Sequence, residues 1–520
     1  MKKLGIMAMI AYLVVAYSGL TLPVQGEPLR DGIVTIDEAL TVANNHIAWI
    51  IHNEGSWGGF DNADVAEIQE FKRGDKVLGY FCRVEPTGYI VVSLLKVLPP
   101  VKVYSTTDSI DPGYDEGMTD LIKMTMERML GEIEIRTGSI ESVQVQDVQD
   151  ILETNYLADW RELGQDTVVF RQALSSGNVP MNYQGGDWLL STDWHQEPPF
   201  NDDCEDHDCS WPQYGYYNDR APVGCVATAA AQIMKYWAWP PFGEGSDEGV
   251  DFSDQYDWVN MLEEYVYDAG QNRFEDNAGN PCSQAQIDAV AELCYEVGAG
   301  ADMWYTCDWS WANLGDELGD DMTDAYKAFF RYNPNTDYEK RIMHTDDGWW
   351  DIITTNLNLN RPIQYGWLEL PEGGHSAVID GWKIEGSSRK VHINYGWVGS
   401  AADTWYDIDN ISGVEVMIRK IKPAPSLGAS LSGSYSPPSF PYRYFDQDAT
   451  GDDVVFEAGH LLQFLPGVKV TCTSTSGGKI AFGGESTDNT LLFSRGDEWR
   501  GIRLYDGHIY LYQNGSIVLH

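Results

Sequence analysis

The stretch Ala221-Pro-Val-Gly-Cys-Val-Ala-Thr-Ala-Ala-Ala-Gln-Ile-Met-Lys-Tyr-Trp237 restricts the fold more than any other part of this chain. From Val226 to Trp237 it holds neither glycine nor proline, alanine recurs, and Pro240-Pro241 follow, which predicts a helix ending just before the prolines. Gly224 precedes Cys225, so the cysteine is expected at the helix N-terminus. There the first-turn N–H groups and the helix dipole favour an anion, and the thiolate is the form of cysteine that attacks carbonyls. By itself the stretch fits equally a small cysteine buried in an apolar helix.

At 520 residues the chain exceeds a single core, and at roughly 100 to 200 residues per domain it divides into three or four units. A hydrophobic content of 43%, with 19 Trp and 29 Tyr, is ample for globular cores. The formal net charge of -45 argues against nucleic acid or an anionic membrane as partner, because both require clustered Lys and Arg. Met1-Lys2-Lys3 followed by the apolar run Leu4 to Val15 has the charge and length of a signal peptide, with Ser18 and Gly26 as cleavage points. No later stretch is long and apolar enough to span a membrane, so an exported, soluble protein is expected. Among the eight cysteines, Cys204 and Cys209 are placed to close a small loop and Cys307 to reach Cys294 or Cys282, with the connectivity left open.

Thr35-Ile-Asp-Glu38 has the form of a capping box and predicts an amphipathic helix through about Ile51. Val77 to Arg83 and Tyr89 to Ser93 read as a hairpin around Pro86-Thr87-Gly88, and Asp120 to Thr137 as a second helix. In the middle region Ser283-Gln-Ala-Gln286 caps a helix expected to run to Glu296, with Gly298 as its stop. Pro362 to Leu368, His375 to Ile379, Val391 to Tyr395 and Glu415 to Ile418 read as strands. Helices first and strands afterwards indicate an α+β fold. Lys422 to Pro441, loaded with Pro, Ser and Gly, reads as a linker, and the short β-rich runs beyond it suit a small solenoid or sandwich, the solenoid preferred.

A nucleophilic thiol requires a base, a group to orient that base, and donors for the oxyanion. Of the ten histidines, His375 follows Gly373-Gly374 and opens a strand. With a turn centred near residues 385 to 388, Asn394 falls across from a residue within about three positions of His375, where its carbonyl is placed to accept the imidazole N–H. A histidine at a strand end is also simply a partly buried polar residue.

Residues 224–236, Gly-Gly-His-Ser-Ala-Val-Ile-Asp-Gly at 373–381 and His-Ile-Asn-Tyr-Gly-Trp-Val-Gly at 392–399 together resemble the streptopain family of secreted papain-like cysteine peptidases. The resemblance implies Cys225 as nucleophile and His375 as general base and then acid. Asn394 falls on the family's asparagine beside the histidine, Trp397 on the second Trp of its Asn-Trp-Gly-Trp sequence, and Tyr395 stands where the first Trp is expected. Trp194-His-Gln-Glu-Pro-Pro-Phe-Asn201 is similar to the segment carrying the oxyanion-hole glutamine, which makes Gln196 the candidate donor. Gly374, together with Trp304 and Tyr305 in the aromatic stretch 303–311, is a candidate for substrate contact, the aromatic stretch reading equally as core.

Thr87-Gly-Tyr-Ile-Val-Val-Ser93 resembles a strand of the family's propeptide. The organisation implied is a signal peptide at 1–26, an inhibitory α+β propeptide at 27–175, a papain-like peptidase domain at 176–422, a linker at 423–441 and a C-terminal β domain at 442–520, with processing between about 165 and 190. The expected activity is that of a secreted cysteine endopeptidase made as a zymogen, acting on protein or peptide substrates and held by its own propeptide. It needs no cofactor. The acidic run Asp202 to Cys209 lies outside the resemblance and reads either as a calcium- or zinc-binding loop or, the preferred reading, as a solvated loop pinned by a Cys204–Cys209 bridge, with no metal assigned. The alternative is a catalytically inactive exported binding or adhesion protein on the same fold.

Overall fold

The computed structural model describes residues 32–424, interrupted at 116, within 141–151, and at 212–215, 248, 308–309, 316–320, 369–373, 398–403 and 410–414; beyond 424 it describes chiefly strands. The expected signal peptide lies outside the described residues. The first helix, α1 (Ile36–Glu54), starts at Thr35, whose hydroxyl accepts the Glu38 N–H while the Glu38 carboxylate accepts the Thr35 N–H. Four antiparallel strands follow, β1 (Asp64–Arg73), β2 (Lys76–Glu85), β3 (Tyr89–Ser93) and β4 (Val101–Ser105), and then the helices α2 (Gly117–Thr137), α3 (Leu157–Leu163) and α4 (Thr167–Ser175).

The second half supplies β5 (Tyr183–Gly185), the hairpin β6 (Asp206–Trp211) and β7 (Tyr216–Arg220), α5 (Cys225–Trp237), α6 (Gln284–Gly300), α7 (Met322–Ala328), β8 (Asp337–Lys340), α8 (Asp346–Leu357), β9 (Ile363–Trp367), β10 (His375–Glu385), β11 (Ser388–Asn394), β12 (Thr404–Asp407) and β13 (Glu415–Arg419). Ser283 and Gln286 form the expected capping box of α6, and the helix continues past Gly298 to Gly300. There Tyr305 and Met303 pack over Gly298, so this glycine serves close packing in place of ending the helix.

One 11-stranded sheet runs through both halves in the order β1-β2-β3-β4-β12-β11-β10-β9-β13-β8, with β5 added beside β10. The join is the antiparallel pairing of β4 with β12, Tyr104 opposite Trp405 and Val103 opposite Tyr406. The sheet's alternation sorts side chains to two cores. Along β10, Ala377 and Ile379 face a core shared with Ile47, Val91, Tyr104, Trp349 and Trp405, whereas Val378 faces one built with Ala230, Ile233, Leu293 and Val297. The all-apolar face that the alanine-rich stretch presents is therefore covered by the sheet and by α6.

The join also buries charge. Glu385 at the end of β10 accepts the Tyr104 hydroxyl at 2.6 Å and lies 3.1 Å from His46 Nε2, while Lys102 Nζ donates to the carbonyls of Asp407 (2.7 Å) and Asp409 (3.0 Å). Lys383 pairs with Glu54 at 2.6 Å, and Ser387 N–H donates to Asp159 at 2.7 Å. These groups come from opposite sides of the join, so it is an extensive polar seal in addition to an apolar one.

One expected boundary, that between the linker and the C-terminal β domain, differs. Residues 423–441 carry strands, Ser426–Leu427 and Ser430–Tyr435, in place of an extended linker; both pair with later strands, so the β unit begins before 442. Every strand pairing described beyond 424 is parallel, as in Tyr442–Phe445 beside Leu461–Phe464 beside Thr490–Phe493 beside Ser516–Leu519. Parallel stacking of successive runs is a solenoid pattern and not that of an antiparallel sandwich. No described helix is long and apolar enough to cross a membrane.

Candidate active site

Helix α5 begins at Cys225. Gly224 caps it at φ +85°, and a Cβ there would sit 2.8 Å from Met303 Sδ and 3.0 Å from the Ser310 carbonyl, so glycine is required for both conformation and space. The 303–310 segment thus packs against the residue next to the cysteine. Burial pushes the Cys225 thiol above its ordinary range, while the backbone N–H groups of Ser376, Cys225 and Val226 pull it down without reversing the shift. The helix N-terminus therefore acts in the direction the sequence predicts, and burial outweighs it.

His375 opens β10 opposite Trp367 and is 8% exposed. Its ring stacks on Trp397 with centroids 3.8 Å apart and planes within 8°, and Tyr395 lies nearly parallel at 6.3 Å. His375 Nε2 is 2.9 Å from the Tyr395 main-chain carbonyl. A carbonyl can only accept, so Nε2 carries the proton and Nδ1 the lone pair. Burial is the larger influence and the Tyr395 bond opposes it; together they hold the imidazole at about 4, so it is neutral at physiological pH. The imidazole's hydrogen bond goes to Tyr395 and not to the thiol. The Ser376 amide, next after His375 in sequence, is the largest of the backbone N–H influences that pull the Cys225 thiol down.

Asn394 pairs with Val378 in the β10–β11 ladder, three positions from His375 as the turn predicts, and the reversal itself is Gly386-Ser387 with Gly386 at φ +64°. Its side chain, however, does not accept the imidazole N–H. Asn394 Nδ2 donates to the Thr192 carbonyl (2.7 Å) and Gln232 Oε1 (2.9 Å), and its Oδ1 accepts from Gln232 Nε2 (3.2 Å) and from Gly396 N–H (3.1 Å). The amide is fully occupied, and it shapes the Tyr395-Gly396 turn that presents the carbonyl to His375.

Gln196 is half-exposed, and its main-chain carbonyl accepts Val223 N–H at 2.9 Å, which lays the 194–197 segment beside the entry to α5. Gly374 is exposed at the start of β10, where any Cβ would run into the Trp367 carbonyl. Trp304 and Trp311 exchange backbone hydrogen bonds of 2.9 and 3.2 Å, and the Trp304 ring is 65% exposed on the loop that abuts Gly224. Tyr305 is different. It is 7% exposed and packs over Gly298 and beside Tyr295, so its side chain belongs to the core.

The disulfide is also not the expected one. Cys209 pairs with Cys307 (Cα–Cα 5.3 Å), and Cys82, Cys204, Cys225, Cys282 and Cys294 are free. The bridge ties the acidic β6–β7 hairpin to the 303–311 loop, which spacing along the chain had no means to reveal. Among the described residues no group of three or more His, Cys, Asp or Glu is arranged to hold a metal ion.

Two buried glutamines escaped the sequence reading. Gln232 Oε1 accepts from Thr192 Oγ1 (2.9 Å) and Trp194 N–H (3.3 Å) as well as from Asn394. Its position seven residues after Cys225, two turns along one helix face, was the available signal. Gln364 on β9 carried no such signal, since a single polar residue within a strand marks no face.

Residues 194–406 match the family model described as the Peptidase C10 family. Streptopain of Streptococcus pyogenes is 26% identical over 374 residues, spanning 68% of this chain and 80% of that protein. A protein of Porphyromonas gingivalis named thiol protease/hemagglutinin PrtT is 25% identical over 200 residues, 36% of this chain and 20% of its own length. Among solved structures, a fragment of Prevotella intermedia prointerpain A superposes with a TM-score of 0.45 at 22% identity, covering 69% of this chain and 99% of that one. Residues 194–406, which carry the Cys225 and His375 blocks, are thus similar to the Peptidase C10 family and to streptopain, and the chain is a cysteine-type peptidase.

Proposed function

We propose that this is a secreted cysteine endopeptidase made as a zymogen, with Cys225 as nucleophile and His375 as base and acid. The observation that carries the reading is the state of His375: stacked on Trp397, its Nε2–H committed to the Tyr395 carbonyl and its Nδ1 unprotonated, on the strand whose next amide pulls the Cys225 thiol down.

In the first half-reaction the Cys225 sulfur bonds to the substrate carbonyl carbon as the thiol proton passes to His375 Nδ1. The carbonyl oxygen becomes an oxyanion held by the Cys225 N–H and the Gln196 amide, a donor of a kind worth about 2.7–4 kcal/mol. As the C–N bond breaks, His375 gives the proton to the departing amine and a thioester remains. In the second half-reaction water attacks that carbon, His375 takes its proton, the C–S bond breaks and the thiol regains a proton. Asn394 acts as a positioning residue through the Gly396 turn, and Tyr395 and Trp397 set the plane of the imidazole. Gly374 keeps the approach to the base open, and the exposed Trp304 lies where a substrate side chain would rest.

Residues 1–26 serve export, and 27–175 form a propeptide whose strands complete the peptidase sheet. Its removal occurs between about 165 and 190, a region in which Ser175, Ser176, Gly177 and Asn178 are all exposed just past α4. The substrates are proteins or peptides. The test is the Cys225→Ala protein: it is expected neither to digest casein nor to shed its N-terminal segment without added protease, and retention of both would end the assignment.

A further inference from the structure

Gln364 is fully buried on β9, opposite Val378 of β10 and Ile418 of β13. Its Nε2 donates to the Val226 main-chain carbonyl at 2.9 Å and to Ser376 Oγ at 3.1 Å, and its Oε1 accepts the Tyr326 hydroxyl at 3.1 Å. Val226 is the residue after Cys225, and Ser376 is the residue after His375. One nitrogen therefore holds the backbone beside the nucleophile and the side chain beside the base, and its oxygen is held in turn from α7.

The helix itself does not need this bond. The Val226 carbonyl lies in the first turn of α5, where its helical partner is the N–H four residues on, and its second lone pair takes the Gln364 donor. An apolar side chain of similar volume would fill the site, at the cost of leaving the buried Tyr326 hydroxyl without this acceptor. What the amide contributes is geometry: its two N–H bonds diverge from one atom in one plane, so the span between the start of α5 and the start of β10 follows from the position of that atom. A fully bonded buried polar group rigidifies what it touches.

We propose that Gln364 is a positioning residue for the Cys225–His375 pair, setting the distance and angle between thiol and imidazole without touching substrate. The proposal rests on the catalytic assignment above. Its test compares the processed parent with Gln364→Met, Gln364→Glu and Ser376→Ala, reading kcat and KM on a fluorogenic peptide, the pH profile of Cys225 alkylation by iodoacetamide, and the thermal midpoint.

Because misplacement by about 1 Å costs on the order of 10²-fold, Gln364→Met is expected to lower kcat about 10- to 100-fold with KM within about twofold. The alkylation profile should shift with it, and Ser376→Ala, which removes one of the two anchored ends, should lose less. Gln364→Glu keeps the acceptor for Tyr326 but sets an oxygen against the Val226 carbonyl, and should resemble Gln364→Met; it carries the test if the methionine variant does not fold. Folded variants with parental kcat and an unmoved alkylation profile would overturn the proposal. Activity remaining in Cys225→Ala would overturn the assignment beneath it, whereas an inactive Cys225→Ala beside fully active Gln364 variants would overturn the positioning role alone.

Discussion

Replacing Glu385 with glutamine tests whether the join between the N-terminal unit and the peptidase is sealed by charge. Glu385 is buried at the end of β10, with its two oxygens on Tyr104 and His46. Burial alone would raise its carboxyl, but the His46 hydrogen bond and the charges of His46, Lys390 and Lys383 together hold it down at about 2. Relative to the ordinary 4.5, that preference for the charged form amounts to about 3 kcal/mol. Gln keeps the shape and an acceptor for Tyr104 while removing the charge, so most of that amount is lost at pH 7. At 2–4 °C per kcal/mol for a unit of 150–250 residues, the thermal midpoint should fall by about 5–10 °C.

The measurement is calorimetry in a Cys225→Ala background, which keeps the chain uncut. The sign with pH follows from the depressed value. A carboxylate whose folded pKa lies below its unfolded one contributes fully above about 4.5 and loses that contribution as pH falls toward about 2. The gap between parent and Glu385→Gln should therefore be full at pH 7 and shrink by pH 3. An unchanged midpoint at pH 7, or a gap that widens on acidification, would refute the reasoning.

Gly374→Ala places a methyl group against the Trp367 carbonyl at the start of β10, so kcat should drop at least about tenfold through displacement of His375 while the thermal midpoint changes little; peptide hydrolysis alongside calorimetry checks this. Cys307→Ser opens the bridge to Cys209, whose 98-residue separation makes the loss up to about 5 kcal/mol by chain entropy. Calorimetry should show the loss, and the same reductant that keeps Cys225 reduced should lower the midpoint of the parent but not of this variant.

Local chemistry was legible in the sequence wherever it is decided within a few residues. The Thr35 and Ser283 capping boxes, the helix opened by Gly224-Cys225 and the tight turn at Gly386-Ser387 all follow from side chains that satisfy or free nearby backbone groups. The register that places Asn394 three positions from His375 followed from that turn. What was not legible depends on elements meeting at a distance. The identity of the imidazole's partner is one such case: Asn394 reaches the right place but is claimed by Gln232 and Thr192, and the Tyr395 carbonyl takes over. The Cys209–Cys307 bridge, the pairing of β4 with β12, and the burial that outweighs the helix N-terminus at Cys225 are others. In each, the deciding group lies scores of residues away or is the packing itself.

In the proposed reaction the sulfur of Cys225 attacks and His375 makes it able to. Labelling the processed protein with a thiol-directed peptide inhibitor, followed by peptide mapping by mass spectrometry, addresses both halves together. One adduct per chain is predicted, on Cys225, forming at least about 100-fold more slowly in His375→Ala. Adducts that form instead on Cys204, Cys282 or Cys294, or a His375→Ala protein labelled as fast as its parent, would contradict these roles.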